Sequence, residues 1–168
     1  MLKPVLVAVD TNFPLLLARQ DPDAIDALDL VRARVRPEEI IVPPTALAEL
    51  FFQAEFDSSE EVRADARTAL GNLRSVWRFR AATFDEMDRR NVLAAANALL
   101  ARGLLPRTER NDAKIIAESA ALRTMLLVSN DSHLLEIDHR WVMLTFQRFG
   151  LPMPLIVSPR DIVRKFFR

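Results

Sequence analysis

The stretch Val5-Leu6-Val7-Ala8-Val9-Asp10-Thr11-Asn12 decides how this chain folds. Five apolar residues stand in a row with no polar alternation, as in a strand covered on both faces, and an acid closes the run. Two further runs are built alike. Ile40-Ile41-Val42 leads into Pro43-Pro44, which ends a strand and presets a helix start, and Met125-Leu126-Leu127-Val128 leads into Ser129-Asn130-Asp131. Leu155-Ile156-Val157 is a last short strand.

Helical patterns fill the intervals. Ala24, Ala27, Leu28, Val31 and Val35 share one face of a helix over residues 23–36. Thr45–Phe56 forms the next, with Leu47, Leu50, Phe51 and Ala54 as its core stripe and Glu49 on another face with Thr45, Phe52 and Gln53. Ser58 to Glu61 reads as a capping box opening a helix to about Trp77. Asp85–Arg102 is helical and stops at Gly103, Leu104–Arg110 is a loop, and Asn111 caps a helix to about Arg123. A short helix follows Ser132, and Pro159–Phe167 is an amphipathic helix. Phe79–Thr83 fits strand or loop, and 137–154 gives no single periodicity. Strands alternating with helices, and no tight hairpin signal, predict a three-layer α/β/α sandwich around a central, mostly parallel sheet. Its 168 residues make one domain, 1–168.

Composition narrows the chemistry. Half the residues are hydrophobic and 27% are charged, which fits a globular chain. Absence of cysteine excludes disulfides, thiolate metal sites and cysteine nucleophiles, two histidines are too few for a histidine-rich zinc site, and three scattered glycines exclude a Gly-rich phosphate loop. The start shows no secretory pattern and no apolar run reaches about 18 residues, so a cytoplasmic protein without membrane contact is expected. The 23 basic residues, 20 of them Arg, balance 23 acids. Zero net charge gives no global field for a nucleic acid, and predicts modest, metal-dependent affinity with a shallow salt slope.

The acids fall at particular places. Asp10 ends the first strand, Glu49 lies early in the helix after the second, Asp131 follows the third, and Asp112 opens a helix returning toward that third strand. In a parallel sheet the carboxyl ends of the strands share one edge, and ligands bind in the crevice there. Two charges about 4 Å apart repel by about 4 kcal/mol at an effective dielectric of ~20. Such a cluster needs protonation, a basic partner or a cation, and oxygen ligands without His or Cys favour Mg²⁺ or Mn²⁺. Taken singly, each acid is also an ordinary cap, turn former or solvated side chain.

These residues resemble the PIN domain, the nuclease family that includes the toxins of VapBC-type toxin–antitoxin pairs. The resemblance rests on Val7-Ala8-Val9-Asp10-Thr11-Asn12, Pro43-Pro44-Thr45-Ala46-Leu47-Ala48-Glu49-Leu50, Asn111-Asp112-Ala113-Lys114-Ile115-Ile116-Ala117-Glu118-Ser119-Ala120 and Leu126-Leu127-Val128-Ser129-Asn130-Asp131, in the family's order. It implies an endoribonuclease of single-stranded RNA with Mg²⁺ or Mn²⁺ between the acids. Asp10 and Asp112 match the most direct metal ligands, Glu49 the acid that orients the attacking water, and Asp131 the fourth acid. Asn12 and Ser129 match polar positions lining the site. A small antitoxin partner and a homodimer follow from the same resemblance. The chain departs from it by extra sequence around 57–83 and 137–154, and by His133 where an aromatic is common.

Further residues have two readings each. Arg107 and Arg110 flank the Asp112 helix and either guide a phosphate backbone or are plain solvated arginines; His133 either contacts a phosphate or the metal's outer shell, or is a helix-cap or surface histidine. Phe51, Phe52 and Phe56 have the spacing of core residues, with Phe52 and Phe56, off the main stripe, as candidates for a dimer or inhibitor groove. Other functions stay open: a non-catalytic PIN-fold binding module, and a haloacid-dehalogenase-type phosphatase, whose Asp-x-Asp is here Asp10-Thr11-Asn12.

Overall fold

A computed structural model describes residues 4–166. Phe167, the expected end of the last helix, lies outside the described residues, as does the opening Met1-Leu2-Lys3. The chain alternates β1 (Leu6–Val9), α1 (Asn12–Ala18), α2 (Pro22–Leu30), β2 (Glu39–Val42), α3 (Pro44–Phe56), α4 (Glu60–Ser75), β3 (Arg80–Ala81), α5 (Glu86–Ala101), α6 (Arg110–Ala121), β4 (Leu126–Val128), α7 (Ser132–Leu135), α8 (His139–Gln147), β5 (Leu155–Val157) and α9 (Pro159–Phe166). A π-helical turn over Val31–Val35 prolongs α2 and ends on Arg36 in the left-handed region.

The five strands form one sheet in the order β3-β2-β1-β4-β5. Every pairing is parallel, with Val7 opposite Ile40 on one side and Leu126 on the other. β1 therefore lies at the centre, and Val7, Ala8 and Val9 are buried, the condition that its unbroken apolar run requires. Helices cover the sheet as a three-layer α/β/α sandwich, with α3 packed on α4, α5 on α6, α2 on α9 and α3 on α6. From β1 the chain moves to β2 on one side, while β4 and β5 lie on the other. The gap between the carboxyl ends of β1 and β4 is thus the topological switch point of the sheet.

Several local expectations change. The ambiguous stretch is the short edge strand β3. The helix after residue 57 is capped by Ser59, which accepts from the Val62 N–H, instead of by Ser58. Asn111 lies inside α6, which begins at Arg110 without a side-chain cap, so its amide is free for another partner. Two helices escaped the sequence reading, α1 directly after Asp10 and α8 within 137–154. Phe51 is not core: it is 55% exposed, Phe52 63% and Phe56 72%. Leu50 and Ala54 hold the buried side of α3 without it. No helix among the described residues is long and apolar enough to cross a membrane.

Candidate active site

Asp10 leaves β1 at the switch point with 3% of its surface exposed. Its backbone N–H extends the ladder to the Val128 carbonyl at 3.0 Å, which fixes the residue between the two strand ends. One carboxylate oxygen accepts from the N–H groups of Asn12 at 2.8 Å and Phe13 at 3.3 Å, the first turn of α1. The other accepts from the Ser129 hydroxyl, which in turn accepts from the Asp131 N–H at 3.0 Å. Ser129, expected to line the site, thus ties its first acid to its last. Asn12 takes part through its backbone. Asp131 caps α7, with one oxygen accepting from the His133 N–H at 2.7 Å.

Glu49 sits one turn into α3, and both of its oxygens are held. Oε2 accepts from the Thr11 hydroxyl and Oε1 from the Asn111 side-chain amide at 2.7 Å. Neither Thr11 nor Asn111 was singled out as a partner from the sequence. Their bonds to Glu49 span 38 and 62 residues, beyond any local pattern. Glu118 was also missed. It is buried on α6 and accepts from both the Thr45 N–H at 2.9 Å and the Thr45 hydroxyl at 2.6 Å. Because Pro43 offers α3 no side-chain cap, Glu118 serves as that cap from another helix. The one sequence signal was the missing cap residue before Pro44. The bonds from α6 to Thr45 and Glu49 lock the two helices that carry Asp112 and Glu49.

Asp112 differs from its neighbours. Its Oδ2 is buried with no hydrogen-bond partner. Burial pushes its carboxyl from 3.8 up to about 7, and the negative charges of Asp131, Glu109, Glu49 and Asp10 add to that rise. Burial likewise lifts Asp10 to about 7 against the hydrogen bonds from Ser129, Asn12 and Phe13, with Asp131 adding repulsion. Burial raises Glu118 as well, opposed by its Thr45 bonds and by Lys114. The four predicted acids are therefore within electrostatic reach of one another around Asp112. Among the described residues no three His, Asp or Glu side chains are already arranged as a metal cage. Asp10 and Glu49 are committed to hydroxyl and amide donors, and Asp131 commits one oxygen to its helix. The donor set still fits a hard divalent cation: it is oxygen only, and mutually repelling acids surround a buried carboxylate oxygen that lacks any donor.

The remaining candidates are on the surface. Arg107 lies in the loop before α6, and Arg110 is the first residue of α6; both are exposed. His133 is exposed and turns its Nε2 toward the Glu109 carboxylate at 4.0 Å.

Fold and site together define a doubly wound α/β domain with a carboxylate-lined crevice at its switch point. Residues 7–140 match the PIN domain family, and the chain belongs to that family. Two solved structures share the fold. VapBC2 from Rickettsia felis, bound to a DNA fragment from their promoter, superposes with a TM-score of 0.61 at 19% identity, over 92% of this chain and 98% of that one. FitAcB from Neisseria gonorrhoeae gives 0.51 at 14% identity, over 91% and 97%. No curated protein sequence matches the chain.

Proposed function

We propose that this PIN domain is a Mg²⁺- or Mn²⁺-dependent endoribonuclease that hydrolyses phosphodiester bonds in single-stranded RNA. The observation that carries the reading is the buried, partnerless Oδ2 of Asp112 beside three further acids at the switch point. Asp10, Asp112, Asp131 and Glu49 would hold the cation. When bound, it supplies positive charge to the phosphoryl oxygens and makes water a stronger nucleophile at neutral pH. Glu49, fixed from both sides by Thr11 and Asn111, is aimed to orient the attacking water and take its proton. Asp131 is the alternative carboxylate for that task. Ser129 and the first turn of α1 hold Asp10 so that its carboxylate does not turn away from the crevice.

The toxin role rests on the resemblance to the toxins of VapBC-type pairs, and the VapBC2 structure has the same fold. A small antitoxin, a homodimer and a cytoplasmic setting belong to the same reading. The decisive assay is cleavage of a labelled single-stranded RNA by purified protein with Mn²⁺, with EDTA, and with the Asp112→Asn variant. Metal-dependent cutting that the variant loses supports the reading. Full activity in the variant overturns it. A preparation that binds RNA or a partner and never cuts would establish the non-catalytic module, and phosphomonoester turnover without RNA cleavage the phosphatase. A short adjoining gene for a DNA-binding antitoxin separates a toxin from a housekeeping nuclease.

A further inference from the structure

Zero net charge conceals one uneven distribution. Among the described residues five arginines are ion-paired: Arg19 with Asp65, Arg63 and Arg67 with Glu60, Arg80 with Glu39, and Arg90 with Glu86. Along the seam between α5 and α6, four cations outside these pairs are gathered on adjoining hollows. Arg110 and Lys114 are four residues apart on one face of α6, and Arg107 lies just before them. Among the described residues none of the three forms an ion pair or a side-chain hydrogen bond to an acid. Arg89, on α5, directs its Nε to the Phe84 carbonyl at 3.1 Å, which leaves its charge uncompensated.

These four cations line two hollows that share the side chains of Leu93 and Lys114. One, of about 400 Å³, lies between the start of α3, Phe84, Arg89 and Glu118. The other, of about 500 Å³, continues along α5 to Arg107 and Arg110. Together they make one trough, with an apolar floor that includes the half-exposed Leu93 and with Lys114 at its midpoint. One wall is α6, whose first turn carries Asp112. Among the described residues Glu118 is the one acid lining either hollow; it is buried, turned onto Thr45, and near enough to Lys114 for the two charges to interact.

We infer that this α5–α6 trough is the path of the RNA strand beside the acid rim, with Arg107, Arg110, Lys114 and Arg89 on successive phosphates and bases laid on Phe84 and Leu93. The inference rests on the proposed ribonuclease reading. A spaced row of unpaired cations over an apolar floor suits a single strand, which offers regular charge and unstacked base faces. It also revises the shallow salt slope expected from the net charge. Single strands give a slope of about −0.7 per neutralised phosphate, so four contacts predict about a fifty-fold loss of affinity between 50 and 200 mM salt.

The test is fluorescence anisotropy of a labelled twelve-nucleotide oligouridylate with the full chain in EDTA, where cutting is off. The wild type should show the fifty-fold loss. The triple variant Arg107→Ala, Arg110→Ala, Lys114→Gln should bind weakly at 50 mM salt, and its remaining single contact predicts only about a threefold loss. Arg34→Ala, in the π-helical turn before β2, removes a charge elsewhere and should bind as wild type. Thermal melts establish that each variant is folded, and Arg107→Ala with Arg110→Ala alone, both exposed, serves if the half-buried Lys114 proves necessary for folding. Unchanged affinity and slope in the folded variants overturn the inference, as does a trough that captures polyglutamate and ignores the oligonucleotide. Cutting assays with Mn²⁺ are scored separately. A wild type that binds through the trough without cutting defeats the ribonuclease reading alone, and one that cuts while the variants bind normally defeats the trough alone.

Discussion

The carboxyl rim of the sheet and the exposed side of α3 invert the usual distribution of residues in opposite senses. At the rim, Asp10, Glu118 and an oxygen of Asp112 are taken out of water. On α3, Phe51, Phe52 and Phe56 are left in it, with the Phe52 and Phe56 rings 5.3 Å apart. Buried charge and exposed aromatic surface each cost free energy in an isolated chain, and such departures collect where something binds. The difference lies in how each departure is held. The rim is fixed by hydrogen bonds between distant segments, whereas the Phe52 and Phe56 rings are neighbours on a single helix and pack on each other. One region gathers acids that repel one another around an oxygen without a donor, and the other presents apolar rings to solvent.

Experiments that break this contrast follow in order of effect. Asp10→Asn or Asp112→Asn should lower RNA cleavage by at least 10²–10³-fold, the scale of losing a group that supports transition-state charge, while circular dichroism stays native. Next comes metal binding. Millimolar Mn²⁺ at about a hundred times its Kd should stabilise the fold by about 2.7 kcal/mol, which scanning calorimetry reads as a Tm rise of about 5–10 °C, and Asp112→Asn should lose most of that rise.

Without metal, pH should act in the opposite direction. Asp10 and Asp112 bind protons up to about pH 7 in the fold but only to about 3.8 in the unfolded chain. Between those values the fold holds the extra protons, so their contribution is complete below about pH 4 and is lost as pH rises through 7. Tm in EDTA should fall from pH 5 to 8, and at pH 8 Asp112→Asn, which mimics the neutral acid, should melt above wild type. A Tm that climbs over that range would remove the rim's defining property. Thr45→Val deprives buried Glu118 of one donor and should cost about 1–3 kcal/mol in urea unfolding. Smallest is Phe52→Asp, which should change stability by no more than about 0.5 kcal/mol and yet weaken any self-association seen by sedimentation.

The same contrast explains what the sequence could convey. β1, β2 and β4 were legible because central parallel strands are unbroken apolar runs, and each rim acid stands at a strand end or in the first turns of a helix. Convergence of those acids then followed from parallel topology. Phe51 was misread because apolar residues occupy α3 nearly all round, at 46, 47, 48, 50, 51, 52, 54 and 56, so a 3.6-residue period selects no single face. The same saturation hid α1, whose Phe13, Pro14, Leu15 and Leu17 are all buried. In α8 the exposed Trp141, Met143 and Leu144 blurred the stripe of Val142 and Phe146. Thr11, Asn111 and Glu118 act through partners far along the chain, where no local spacing can point.

The central place of β1 also bears on when the acid rim can form as the chain is made. The Asp10–Ser129 bond spans 119 residues, and β1 takes its second neighbour only when β4 exists. Residues through Asp131 must therefore leave the ribosome before the first acid can meet the last. Truncated or stalled products carry Asp10, Glu49 and even Asp112 without the strand that brings them to one edge. Assembly of the rim therefore waits on the synthesis of β4.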